Sequence, residues 1–251
     1  SGGGDVEPPV LDTENHYGYI VGYDDGTVRP NGKITRAEVA TIFFRLLTDE
    51  SRDAYWCQTN DFSDVSASDW FNNAISTLTN AGILDGYEDG TFRPNGNITR
   101  AEFATIAVRF FDLTYEGEDL FPDISDHWAR DYINQAAAAG FVNGYEDGTF
   151  RPNNAITRAE AVTLVNRTLE RKPHKAHLLD DMIQWPDNMD QTTWYYADIQ
   201  EATNSHEYYM TTSEQGEEYE IWTELLPMRD WPALEKEWSD ANSSTGADVT
   251  N

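Results

Sequence analysis

Three arginines stand where a helix should resist them. Arg36, Arg100 and Arg158 each sit inside the run Ile-Thr-Arg-Ala-Glu. Thr35, Thr99 and Thr157 precede Glu38, Glu102 and Glu160 by three residues, the capping-box spacing in which hydroxyl and carboxylate satisfy orphan backbone donors reciprocally. The arginine therefore falls at the first helical position, where the macrodipole disfavours a cation. Two kinds of partner could compensate it. A structural carboxylate, either Asp25, Asp89 or Asp147 in the preceding loop or the box glutamate, would form a salt bridge. A ligand carboxylate or phosphate would instead use the guanidinium fork together with free N–H groups at the helix start.

The elements that must position these arginines recur with them. Gly86–Glu102, Gly22–Glu38 and Gly144–Glu160 are three copies of one seventeen-residue loop and box. Glycines, an Asp-Gly pair and an Arg-Pro pair punctuate the first half of each. After each box the apolar residues fall at helical spacing: Val39, Ile42, Phe43 and Leu46; Phe103, Ile106 and Phe110; Val162, Val165 and Leu169. The second and third copies carry an upstream half with a short amphipathic helix: Phe62-Ser63-Asp64-Val65 then Trp70, Ile75, Leu78 and Gly82, and Phe121-Pro122-Asp123-Ile124 then Trp128, Ile133, Ala136 and Gly140. The first copy lacks it. Trp185-Pro186-Asp187-Asn188, followed by Trp194, Ile199, Ala202 and His206, supplies the missing half from the other end of the chain. The order of halves is permuted, and packing the last half-repeat beside the first would bury faces that a linear array leaves open.

Composition narrows the partner. With 17 basic and 45 acidic residues the net charge is −28, which disfavours nucleic-acid phosphates. Nine of the thirteen arginines lie at three repeated positions: Arg29, Arg93 and Arg151 before proline, the box arginines, and Arg45, Arg109 and Arg167 inside the helices. Positive charge is thus used locally. A single cysteine, Cys57, excludes an internal disulfide and a cysteine metal cluster. No apolar run is long enough to span a bilayer, so no membrane insertion is expected. The glycine-rich start resembles a linker or a cut from a larger parent protein.

Taken in order, residues 1–14 read as linker. Residues 15–209 form one module made of half-repeat 15–50, repeats 60–112 and 119–172 and closing half-repeat 183–209. A tryptophan-rich extension over 210–240 follows. In it Thr211–Glu218 is expected as an exposed acidic loop, and Ile221, Trp222, Leu225, Leu226, Trp231, Leu234 and Trp238 as one or two short helices covering an open side of the module. Residues 241–251 are expected to be disordered. His174 and His177 read as part of a solvated linker, because two histidines without further ligands make a weak metal signal. No metal, cofactor or catalytic residue is assigned.

The upstream half, the Gly-Tyr-x-Asp-Gly-Thr-Phe-Arg-Pro-Asn loop and the Ile-Thr-Arg-Ala-Glu box together resemble the S-layer homology domain, over about Asn15–Tyr209. The resemblance implies a mainly α fold: a pseudo-threefold spindle with a central three-helix bundle and three prongs of loop and short helix. It implies non-covalent anchoring at the bacterial cell surface, outside the cell, as a monomeric module of a larger surface protein. The partner would be an anionic secondary cell-wall polysaccharide with a pyruvylated sugar, or modified peptidoglycan, held in grooves between repeats. Groove positions carried over from the family are Arg36, Arg100, Arg158, Asp64, Asp123, Asp187, Trp70, Trp128 and Trp194. Gly22, Gly86 and Gly144 would permit close approach.

Two other classes compete with the anchor. A cell-wall glycan hydrolase needs a pair of carboxylates, for which Glu217, Glu218 and Glu220 form the one cluster outside the repeats. A calcium-dependent assembly module would use the acidic loops, although Asp24-Asp25-Gly26 lacks the alternating oxygen ligands of an EF-hand.

Overall fold

A carboxylate from each upstream half fastens the following loop to it. Asp64 accepts from the N–H groups of Phe92 and Arg93, both at 2.8 Å. Asp123 does the same for Phe150 and Arg151 at 3.0 and 2.8 Å. Each arginine so held has a left-handed backbone, with φ of 59° at Arg93 and 57° at Arg151. For a residue with a Cβ that conformation costs about 1–2 kcal/mol, so the surroundings must impose it. Three further contacts do so in the second copy: Arg93 Nη2 reaches Asp89 Oδ2 at 3.3 Å, its Nε reaches Thr91 Oγ1, and its guanidinium lies 3.7 Å from the Tyr87 ring centroid.

The computed structural model describes residues 7–243, which divide into two units. Its elements are mostly helices and loops, with one small two-stranded sheet among the described residues. The first unit holds the residues up to Asp12 together with Thr35–Asn154. It contains α1 (Arg36–Leu46), α2 (Asp49–Tyr55), α3 (Asn72–Asn80), α4 (Arg100–Val108) and α5 (Arg130–Ala138). The long helices α1 and α4 start with complete capping boxes, threonine hydroxyl to glutamate N–H and glutamate carboxylate to threonine N–H. Short helix α3 packs on α1, and α5 packs on α4. Their core is apolar: Val39, Phe43, Phe44, Ile75 and Leu78 on one pair, Phe103, Ala104 and Ile133 on the other, are all buried. Gly82 and Gly140, at φ 78° and 81°, end α3 and α5 in the left-handed turn that glycine adopts without strain.

The second unit joins Thr13–Ile34 to the chain from Ala155 onward. It contains α6 (Arg158–Thr168), which begins with the third capping box, then α7 (Tyr196–Thr203), strands β1 (His206–Thr212) and β2 (Glu218–Leu225), and α8 (Trp231–Ser243). Here the fastening carboxylate comes from the far end of the chain. Asp187 accepts from Val28 N–H at 3.0 Å and Arg29 N–H at 2.8 Å, and Arg29 again has a positive φ of 51°. Tyr19 and Ile20 both donate to the carbonyl of Ala202 in α7. The fully buried Tyr19 hydroxyl donates to Asn166 Oδ1 at 2.6 Å, tying the N-terminal segment to α6.

The ends differ from their expectation. Residues 1–6 of the expected linker lie outside the described residues. From Val10 to Asp12 the chain is paired rather than free: Val10 N–H donates to Ser51, Thr48 N–H to the Val10 carbonyl and Asp12 N–H to the Leu46 carbonyl. Leu11 is the apolar residue that this pairing buries. In the extension, Ile221, Trp222 and Leu225 belong to β2 rather than to a helix, and the expected loop Thr211–Glu218 contains strand ends around a tight turn. The run Glu-Tyr-Glu-Ile-Trp-Thr-Glu-Leu has the β-branched and aromatic content of a strand, and Gly216 at φ 84° supplies the turn. Trp231 does open a helix and is buried. That helix continues to Ser243, into the stretch expected as a disordered tail, of which residues 244–251 lie outside the described residues.

Because Asp187, Trp185 and Ala202 complete the first copy from the other chain end, a chain truncated after Lys172 should lose the cooperative unfolding of the second unit. Hydrogen exchange followed by mass spectrometry should then show residues 15–34 unprotected. Protection there equal to the full chain would mean the N-terminal half-repeat folds without its partner. The milder Asp187→Ala should lower stability by roughly 1.5 kcal/mol, at the modest end for a charged hydrogen bond because the carboxylate is exposed.

Candidate functional site

The helix starts are already capped, so their N–H groups offer no anion site. Arg36 and Ala37 N–H donate to the Gly96 and Pro94 carbonyls of the next copy's loop, and Glu38 N–H donates to Thr35 Oγ1. Arg100 and Ala101 donate to Asn154 and Pro152, and Arg158 and Ala159 to Gly32 and Pro30. Each helix thus takes acceptors from the next copy, and the third copy takes them from the first.

The box arginines are buried beside the same loops. Arg36, 6 % exposed, donates through Nε to the Phe92 carbonyl at 2.8 Å, through Nη2 to the Asp85 carbonyl, and through Nη1 to the Glu102 carboxylate. The compensating carboxylate is therefore the box glutamate of the next copy. The loop aspartates Asp25, Asp89 and Asp147 pair with the pre-proline arginines Arg29, Arg93 and Arg151. Tyr87 OH also donates to Glu102, at 2.8 Å; burial first and this hydrogen bond second push the phenol pKa up. Arg100 and Arg158 repeat the pattern, their Nε groups donating to the Phe150 and Val28 carbonyls and their guanidinium groups lying over Tyr145 and Tyr23.

The glycines serve packing. A Cβ on Gly86 would lie 2.3 Å from the Phe62 ring, on Gly144 2.5 Å from Phe121, and on Gly22 2.1 Å from Trp185. The close approach they permit is that of the upstream aromatic. Asp64, Asp123 and Asp187 are likewise occupied by the loop N–H groups. Asp123 is the clearest case: burial opposes its charge, but the Phe150 and Arg151 donors outweigh this and hold its pKa below the usual range.

Trp70, Trp128 and Trp194 are different. They are 63 %, 62 % and 63 % exposed, so the same position in every copy presents a large apolar ring to solvent. In the first unit, Trp128 borders a groove of about 660 Å³ with Arg36, Gly86, Tyr87, Arg109 and Tyr132. The groove gathers Arg36 from the first copy, the loop and helix of the second, and Trp128 and Tyr132 from the third. Arg109 reaches into it held by Asp85 Oδ2 at 2.8 Å and the Ile83 carbonyl at 3.0 Å, 5.5 Å from the Tyr132 ring centroid. A shallower depression of about 560 Å³ beside Asp123, His127 and Arg151 has no comparable aromatic wall. Arg109 and Tyr132 are the groove residues that sequence reasoning passed over. The periodic arginine at 45, 109 and 167 was the available signal, but nothing in the sequence says that it faces a cleft.

No helix among the described residues is long and apolar enough to cross a membrane. The carboxylates Glu217, Glu218 and Glu220 do not converge: Glu220 is buried, and Glu218 is exposed and paired with Lys172.

Comparison with known proteins gives a consistent result. The model of the S-layer homology domain matches residues 15–40, 61–104 and 120–162. A cellulosome-anchoring protein of Acetivibrio thermocellus is 39 % identical over 212 residues, covering 82 % of this chain and 46 % of that protein. Cell surface glycoprotein 1 of the same organism is 38 % identical over 207 residues, 77 % of this chain and 9 % of the relative. An amylopullulanase of Thermoanaerobacterium thermosulfurigenes is 38 % identical over 162 residues, 61 % of this chain and 8 % of the enzyme. The chain spans less than half the length of each.

Since the side chains of Arg36 and Glu102 are 7 % and 14 % exposed, removing either leaves the other charge poorly compensated. Arg36→Ala should therefore lower stability by about 3 kcal/mol in thermal or denaturant unfolding. A double-mutant cycle with Glu102→Gln should show strong coupling. Additive effects would mean that the pair does not hold the loop.

Proposed function

Because the chain belongs to the S-layer homology domain family, we propose that it is a non-catalytic module that holds a larger protein on the bacterial cell wall by binding an anionic wall polysaccharide. Its place is the cell surface. The relatives include one named as a cellulosome anchor and one named as an amylopullulanase. The amylopullulanase matches over 8 % of its length, as expected of an attachment module carried by an enzyme. Support for the repeats closing as the family's pseudo-threefold spindle is that each long helix takes acceptors from the next copy's loop and the third takes them from the first.

The observation that carries the binding role is the exposed tryptophan at one position in all three copies. Burial would be the ordinary fate of such a ring, and a flat apolar face beside a cation suits the C–H face of a sugar carrying an acidic substituent. In the groove of the first unit Trp128 supplies the ring, Tyr132 a second one and Arg109 the charge. A pyruvylated sugar places one carboxylate on a ring and matches that pairing. Arg36 acts by holding Tyr87 and Glu102, and Arg100 and Arg158 hold the corresponding loops. Local attraction is required, since the net charge of −28 repels an anionic polymer at long range. Several weak grooves on one polymer gain from effective concentration.

Co-sedimentation with purified walls, with and without their non-peptidoglycan polymer, tests this. Trp128→Ala should weaken binding roughly three- to tenfold with the melting temperature unchanged. Binding that survives polymer removal would point to peptidoglycan, and release of reducing sugar would point to a hydrolase. Unaltered binding by a Trp70→Ala, Trp128→Ala, Trp194→Ala triple variant would eliminate the tryptophans as the contact.

A further inference from the structure

The second unit buries four metal-ligating side chains around one point, none of them a residue of the groove. His16 comes from the N-terminal segment, Glu201 from α7, His206 from the start of β1 and Glu220 from β2, and they are 3 %, 0 %, 1 % and 0 % exposed. One ligand atom from each lies within 4.8 Å of the others. His206 Nε2 is 2.8 Å from Glu220 Oε1 and 3.0 Å from Glu201 Oε2; His16 Nδ1 is 3.4 Å from the same Glu220 oxygen and 3.6 Å from the same Glu201 oxygen. Tetrahedral bonds of about 2.0–2.1 Å to a central cation would set ligand atoms about 3.3–3.4 Å apart. The four distances bracket that value.

The surroundings fix the ligand atoms. His206 Nδ1 lies 2.8 Å from the Asn204 carbonyl, which can only accept, so Nδ1 carries a proton and Nε2 faces the cluster. Trp222 stacks on the His206 ring, and its Nε1 donates to Glu220 at 2.9 Å, while Lys172 N–H donates to the other Glu220 oxygen. Tyr208 stacks on His16 with ring centroids 3.6 Å apart. Glu201 is the member left over: neither of its oxygens accepts a well-directed hydrogen bond, and the nearest arginine nitrogen, Arg171 Nη1, is 3.8 Å away. A fully buried carboxylate in that condition needs a cation or a proton to neutralise it.

The geometry points to a structural binding site for a divalent transition metal, zinc by its two imidazole and two carboxylate ligands, formed by His16, Glu201, His206 and Glu220. Four protein ligands in a closed site leave no position for substrate, so the metal would fasten the N-terminal segment, α7 and the hairpin to one another. The alternative is a cluster neutralised by protons. One Nε2 proton serves one of the two carboxylates, so the metal-free cluster needs a further proton on Glu201 that a bound cation makes unnecessary.

The full chain, unfolded with chelator and refolded with or without zinc, tests the site. Zinc-refolded protein should retain one zinc per chain through gel filtration and melt at higher temperature than the metal-free form. Cobalt in its place should give the intense visible absorption of a tetrahedral site. Glu201→Gln and His206→Gln should lose the stoichiometric metal. His174→Ala combined with His177→Ala should keep it; those two rings lie 5.0 Å apart beside Tyr219 and could capture zinc adventitiously. Equal melting temperatures with and without zinc, or metal retained by Glu201→Gln and lost by the His174 and His177 variant, would overturn the assignment.

Discussion

The aspartate that binds two consecutive N–H groups of a neighbouring loop is the contact from which the rest of the structure follows. It holds an arginine in a left-handed conformation that the residue would not choose, and it thereby sets the direction in which the loop carries its carbonyls. Those carbonyls, at Gly96, Pro94 and their counterparts, meet the open N–H groups of the preceding copy's helix. A half-repeat is therefore incomplete in two senses, since its loop needs a carboxylate from upstream and its helix needs acceptors from downstream. For the first copy the acceptors come from Gly96 and Pro94 of the second, but the carboxylate comes from Asp187, near the other end of the chain.

This network explains why an arginine can occupy the first turn of a helix. Its charge is answered by the next copy's box glutamate, which already caps its own helix and also accepts from a tyrosine. One carboxylate joins two repeats. The buried, hydrogen-bonded residues of the motif are accordingly scaffold, and the large apolar residues left facing water at equivalent positions are the tryptophans. Under the proposed function, recognition by those rings and Arg109 would leave the clamp undisturbed.

The C-terminal extension breaks the repeat at one residue. Gly82 and Gly140 let the short helices turn through left-handed geometry, whereas the third such helix leaves Asn204 extended and His206 enters a strand. That strand and its partner bring His206 and Glu220 over the N-terminal segment, where Glu220 N–H and Leu226 N–H pair with the Lys172 and Ser205 carbonyls. A chain whose first copy is open at its start is closed there by added sheet.

Local pattern alone determined the three copies, their capping boxes and the permuted order of halves, because a box is a three-residue spacing and an amphipathic helix is a periodicity. Helix boundaries at Arg36, Arg100 and Arg158 follow from the same short-range chemistry. Only tertiary structure decided what each recurring side chain does within the copies. The glycines admit Phe62, Phe121 and Trp185, the aspartates bind backbone, and Arg36 answers Glu102 across 66 residues of chain. The hairpin stands where the sequence predicts helices, since a short apolar run has no period long enough to separate strand from helix until a partner strand fixes it. The buried quartet was illegible for a stronger reason. His16 and Glu220 lie 204 residues apart, and no spacing rule reaches across a distance that only folding closes.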